Sequence, residues 1–161
     1  MAADDRNIDF TKLIPELQLW NNGQGIDIES WLSCVGSYEH AVAYGRLFWP
    51  EFTIHDGCVL FAGFNEESYR GFMESTNGHK RSVETVMNHR HILDLFPDVS
   101  EDPSEELIVY LGRLLKDMWA AKLARDFPER RIIVSFPEDP GDDLLDYEIT
   151  FFQENDEREA V

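Results

Sequence analysis

The sequence predicts an α+β fold, a small antiparallel sheet packed against several helices, and three observations carry that expectation. Residues 103–126 hold a long amphipathic helical pattern with a full set of start signals. Two strand-like runs follow it, over 131–136 and 145–153. Between this C-terminal half and a helical first third lies Leu47–Phe61, where aromatics, Pro50 and Gly57 mark the passage from helical to extended chain. The 161 residues suffice for one domain with a substantial core, and no repeat, linker or low-complexity tract divides them.

In chain order, Ile8, Leu13, Leu17 and Trp20 keep a helical spacing over 8–21, with Pro15 in the first turn, and Asn21–Gly25 breaks it. Asp27 can cap a second helix with Ile28, Trp31, Leu32 and Val35 on its inner face, closed by Gly36. Ser37 can cap a third, running to Leu47 with Ala41, Val42, Gly45 and Phe48 inward and stopped by Pro50. A strand near 52–61 is broken or bent at Asp56-Gly57, and Cys58–Phe61 has the unbroken apolar character of a strand covered on both faces. Asn65 caps a helix to Ser75, Thr76-Asn77-Gly78 is a turn, and 80–96 reads as helix.

Asp102 as N-cap, Pro103 at N1 and Glu105 at N3 open the core helix. Leu107, Leu111, Leu114 and Met118 are its inner stripe, widened by Ile108, Leu115 and Trp119. The last two strands form a hairpin around 138–143 that extends the strand 58–61, with Asp146 and Glu148 on the exposed side.

Charge limits the function classes. Thirty-two acids against 14 bases give a net charge of −18, which repels nucleic acid and anionic membranes. Ten acids and one base fall within 138–161, so half of the excess sits in the last 24 residues, with 154–161 expected as a disordered acidic tail. Such a surface can simply solubilise, or it can select a basic protein partner. Cys34 and Cys58 match no disulfide framework or zinc spacing and read as two buried free thiols. Met1–Arg6 has no signal-peptide pattern, and no apolar run approaches the roughly 18 residues that cross a bilayer, so the expected location is the cytoplasm.

His55-Asp56 resembles the adjacent His-Asp pair of metal phosphohydrolases, with His40 and Asp94 as the further ligands that resemblance would require. Those enzymes carry the pair on a helix, whereas here Gly57 follows at once and Asp56 reads equally as a turn residue. His89 and His91 can share an ion on a strand, where alternate residues face one way. On the helix expected over 80–96 they diverge by about 200°, so no metal or other cofactor is assigned. Cys58 is too enclosed for a nucleophile, and no phosphate loop or Gly-x-Ser-x-Gly motif is present.

Phe48, Trp49 and Phe52 read first as core, with Trp49 able to anchor a partner if it stays open. The block Leu47-Phe48-Trp49-Pro50-Glu51-Phe52 with His55-Asp56-Gly57-Cys58 resembles small stand-alone acidic bacterial proteins of an uncharacterised family. That resemblance covers residues 20–62 and implies no particular fold or activity.

The sequence reading is thus a protein–protein binding module, of the immunity-inhibitor kind, facing a basic partner. Trp49, Glu51, His55 and Asp56 form one half of the expected surface. Asp142, Asp143, Asp146 and Glu148 form the other. The alternative is a metal-dependent hydrolase centred on His55 and Asp56.

Overall fold

The computed structural model describes residues 8–97, 103–137, 139, 141 and 143–154. The fold is α+β, with antiparallel sheets of two and three strands and a 22-residue core helix. The chain gathers into two compact units, Met1–Tyr44 and Gly45–Val161.

In the first unit, Asp9 caps α1 (Phe10–Leu13) by accepting from Thr11 N at 3.1 Å. A 3₁₀ turn (Pro15–Gln18) and α2 (Trp20–Gly23) follow, the latter passing through left-handed Asn21 and Asn22. The single helix expected over 8–21 is therefore three short pieces. Pro15 is the reason, because its ring excludes the preceding residue from helical backbone and holds Ile14 at φ −130°, ψ 79°.

Asp27 caps α3 (Ile28–Val35) as expected, accepting from Ser30 N at 2.8 Å. Gly36 ends it with extended rather than left-handed backbone, φ −67° and ψ 151°. Ser37 Oγ accepts from His40 N at 3.1 Å at the start of α4 (Tyr38–Phe48), which crosses into the second unit. The faces expected to turn inward do so only in part: Ile28, Trp31 and Phe48 are half-buried, but Leu32 is 60% and Val42 73% exposed. Cys34 is likewise exposed, against the expectation of a buried thiol.

After α4, the stretch expected to break or bend at Asp56-Gly57 reverses there completely and forms a hairpin. β1 (Phe52–His55) pairs with β2 (Cys58–Phe61) across a two-residue turn. Asp56 and Gly57 both have positive φ, 51° and 86°, the primed turn whose twist matches that of the strands it joins. Asn65 caps α5 (Glu66–Ser75) through Ser68 N at 2.8 Å.

α6 (Lys80–Met87) stops at Asn88, and β3 (Arg90–His91) takes over where helix was expected to continue to 96. The extended stretch pairs with the C-terminal strand, Arg90 opposite Ile149 and His91 opposite Glu148. Here long-range pairing overrides local helical propensity.

α7 (Glu105–Asp126) is capped by Ser104, whose Oγ accepts from Leu107 N at 3.2 Å. The expected cap, Asp102, lies outside the described residues. The helix buries Ile108, Gly112, Leu115, Trp119 and Leu123, a face turned slightly from the expected stripe. Gly112 sets that rotation: a Cβ there would fall 2.1 Å from Phe136 Cζ, so only glycine lets the ring lie against the helix.

β4 (Ile132–Ser135) and β5 (Glu148–Gln153) pair antiparallel, and the sheet order is β3-β5-β4. The strand 58–61 belongs to the separate hairpin sheet, not to this one as expected. Two side chains of the α6 region join the sheets instead. The Glu84 carboxylate accepts from Val59 N and from Gln153 N, each at 2.7 Å. The Asn88 amide donates to Val59 O at 2.9 Å and to Phe151 O at 3.1 Å. Spaced i, i+4, both project from one side of the helical turn and stitch β2 to β5.

The core beneath is aromatic. Phe61, Trp119 and Phe151 meet edge to face, with Phe61 5.0 Å from Trp119 and 5.1 Å from Phe151. The Trp119 indole donates to Leu47 O at 3.0 Å, which fixes the end of α4 to the core helix.

Candidate functional site

The expected surface residues fall at two ends of β5. Gln153, at the C-terminal end, donates to Gly57 O at 2.9 Å, so the hairpin tip with His55 and Asp56 lies there. At the other end are Glu148 and, at the base of the hairpin, Phe61, over which the Arg90 guanidinium packs at 4.8 Å. Ala62 N donates to Glu51 O beside that base. Asp143, Asp146 and Glu148 are all exposed, and Asp142 lies outside the described residues. So does the expected acidic tail beyond Glu154.

Trp49 is 36% exposed and therefore open rather than core, unlike Phe48 and Phe52, which pack against the main cluster. Lys122 stands 5.9 Å from its ring, and Glu51 pairs with Arg46 at 2.7 Å. Leu145 lies between the acids and is 45% exposed.

At the hairpin tip, His55 Nε2 lies 3.5 Å from Asp56 Oδ2, and its ring is held by Phe64 and Tyr69 at 4.9 and 4.7 Å. The Tyr69 hydroxyl reaches Asp56 Oδ2 at 3.5 Å. Burial, with Cys58 and Asp56 adding, pushes the Tyr69 phenol up to about 12. Burial and the Glu84 carboxylate push the Cys58 thiol up, as an enclosed, unreactive cysteine requires. Asp56 is thus a turn residue in a packed aromatic setting.

Among the described residues, the three side chains able to close on one ion are elsewhere: His89, His91 and Glu148, each offering one ligand atom within 4.8 Å of the others. The sheet register builds this group. His89 and His91 are two apart where the chain is extended, and Glu148 is directly opposite His91 across the ladder. Arg90, between the histidines, is carried to the other face, over Phe61, while its Nη1 donates to His89 O at 3.0 Å.

Each ring has one nitrogen committed to the backbone. His91 Nδ1 lies 2.7 Å from Leu145 O, and His89 Nδ1 3.2 Å from Val86 O. A carbonyl only accepts, so both Nδ1 atoms donate and both Nε2 atoms keep their lone pairs in the neutral rings.

Glu84 and Asn88 carry no local signal beyond their i, i+4 spacing, because nothing near them in the chain says that two strand edges meet there. His89-x-His91 diverges only on a helix, and the end of α6 at Asn88 reopens the pair. The spatial group shares Glu148 with the expected surface.

Fold and site together define a small α+β protein with a half-exposed histidine pair on an edge strand, beside an acidic segment. No family model, curated protein or solved structure matches the chain. No helix among the described residues is long and apolar enough to cross a membrane.

Proposed function

We propose that the protein acts by binding a basic protein partner, in the manner of an immunity-type inhibitor, through the surface at the Glu148 end of β5. The observation that carries this reading is Leu145, open among exposed Asp143, Asp146 and Glu148. Apolar side chains that bury on contact provide affinity, and a surrounding ring of like charge provides steering and partner choice. Trp49, open and flanked by Glu51, is a second anchor of the same kind. The net charge of −18 extends the field to a basic surface beyond direct contact, within the screening length of about 10 Å at 0.1 M salt.

The test is affinity capture from the source organism with wild-type protein, the double reversal Asp143→Lys/Asp146→Lys, and Trp49→Ala. Wild type should retain a stoichiometric basic protein whose recovery falls as salt rises. Both variants should recover at least about tenfold less, equivalent to about 1.4 kcal/mol. A missing partner, an acidic one, or one held equally by all three proteins would overturn the reading.

A further inference from the structure

We infer that His89, His91 and Glu148 form a binding site for a first-row divalent transition metal of the zinc class. Glu148 also lies in the surface proposed above, but the histidine pair, which does not, carries the metal assignment through an electrostatic mismatch. His89 Nε2 and His91 Nε2 are 3.3 Å apart. With both Nδ1 atoms donating to backbone carbonyls, these are two lone pairs facing each other at hydrogen-bond distance. Two acceptors at that range repel unless a proton on one ring or a metal cation lies between them.

The spacing identifies the cation. Two nitrogens held tetrahedrally at about 2.0–2.1 Å from zinc stand about 3.3–3.4 Å apart, the separation these rings already have. Backbone carbonyls on the far nitrogens are the usual outer contacts of metal-bound histidines, because they set the tautomer and aim the ring. Both are supplied here by residues fixed in secondary structure or its immediate flanks: Val86 in the last turn of α6 and Leu145 in the 3₁₀ turn before β5.

Glu148 contributes the carboxylate. Its Oε1 lies 3.4 Å from His91 Nδ1, and one of its oxygens lies within 4.8 Å of a ligand nitrogen of each histidine. Two imidazoles and one carboxylate favour zinc, cobalt or nickel over calcium or magnesium, which take oxygen ligands. Three protein ligands leave a fourth position for water, and the site is open enough to admit it.

The experiment titrates the untagged full-length chain with zinc chloride by calorimetry and with cobalt chloride by visible absorption. The expected result is about one equivalent of zinc, with a tetrahedral cobalt spectrum, and no competition from magnesium. His89→Gln, His91→Gln and Glu148→Gln preserve side-chain size and should each weaken zinc binding at least about tenfold. A triple variant of His40, His55 and His79 should bind as wild type does. Thermal melts without metal establish that each variant is folded. Failure of the wild type to bind zinc would overturn the assignment, as would affinity unchanged in the three ligand variants, or affinity lost in the control.

Discussion

Two polar clusters lie within eight residues of each other, and they are built on opposite rules. Glu84 and Asn88 are fully buried: the Glu84 carboxylate accepts from two backbone N–H groups and the Asn88 amide nitrogen donates to two carbonyls, while Asn88 Oδ1 is buried without a partner among the described residues. His89 and His91 are partly exposed and present lone pair to lone pair. The four backbone hydrogen bonds these two side chains make tie β2 to β5, so the first cluster is a structural joint. The second presents two acceptors to each other, a mismatch that a proton on one ring or a bound metal relieves, and this is the proposed metal site. The chain changes period at Asn88, and each cluster follows it: i, i+4 from the helix to its C-cap, then i, i+2 from His89, just before β3, to His91 within it.

The joint is where the largest effect is expected. Glu84→Ala removes the acceptor for Val59 N and Gln153 N together and leaves both inside the protein. It also frees the Gln153 side-chain amide, which bridges Glu84 to Gly57 O and accepts from Arg130 at 2.6 Å. The expected loss is about 3–5 kcal/mol, at the upper end for single substitutions, read from urea unfolding at neutral pH. Asn88→Ala strands Val59 O and Phe151 O and should cost about 2–3 kcal/mol. If either variant melted like wild type, the two sheets would be joined by apolar packing alone, and the stitch would be incidental.

How much of this was legible beforehand follows the same division. Asp27, Ser37 and Asn65 were readable as caps because a cap is a local device, one side chain and a backbone N–H three residues on. The α+β class and the last two strands were readable for a similar reason, since β-branched runs and period-two alternation are local patterns. The hairpin at Asp56-Gly57 was half readable: the turn residues were noticed, but not that two positive φ values in succession reverse the chain.

What could not be read was decided at long range. α6 ends at Asn88 because its amide serves strand edges 29 and 63 residues away. The face of α7 is set by Phe136 lying on Gly112, 24 positions earlier in the chain. The histidine site depends on both the helix end and the β3–β5 register, and so could not be placed from residues 89–91 alone.

The second cluster should respond to substitution in the reverse way. His89→Gln and His91→Gln should change metal-free stability by less than about 0.5 kcal/mol, because half-exposed polar replacements away from the core are mild. With zinc at about a hundred times its Kd, wild type should gain about 2.7 kcal/mol, and both variants should gain much less. Thermal melts with and without zinc, in parallel, provide the comparison. Equal stabilisation of all three would remove the contrast between joint and site.

The hairpin tip supplies an intermediate case and the smallest effect. Tyr69 is buried, like Glu84, but its hydroxyl reaches an exposed carboxylate, Asp56, at 3.5 Å. Burial raises its phenol from 10.0 to about 12, so the folded state holds this proton more tightly than the unfolded chain does. The sign follows from linkage: this contribution is complete below about pH 10 and is lost as pH rises from there through about 12. Tyr147 shares the direction, its hydroxyl donating to Glu105. Tyr69→Phe should therefore flatten part of the alkaline decline in unfolding midpoint while leaving its value at neutral pH nearly unchanged. Tyrosinate absorbance followed over the same range should lose one late-titrating group. A variant that declined as steeply as wild type would show that burial, with Cys58 and Asp56, does not hold this proton in the folded state, and that the tip is kept together by its ring packing on His55 and Phe64.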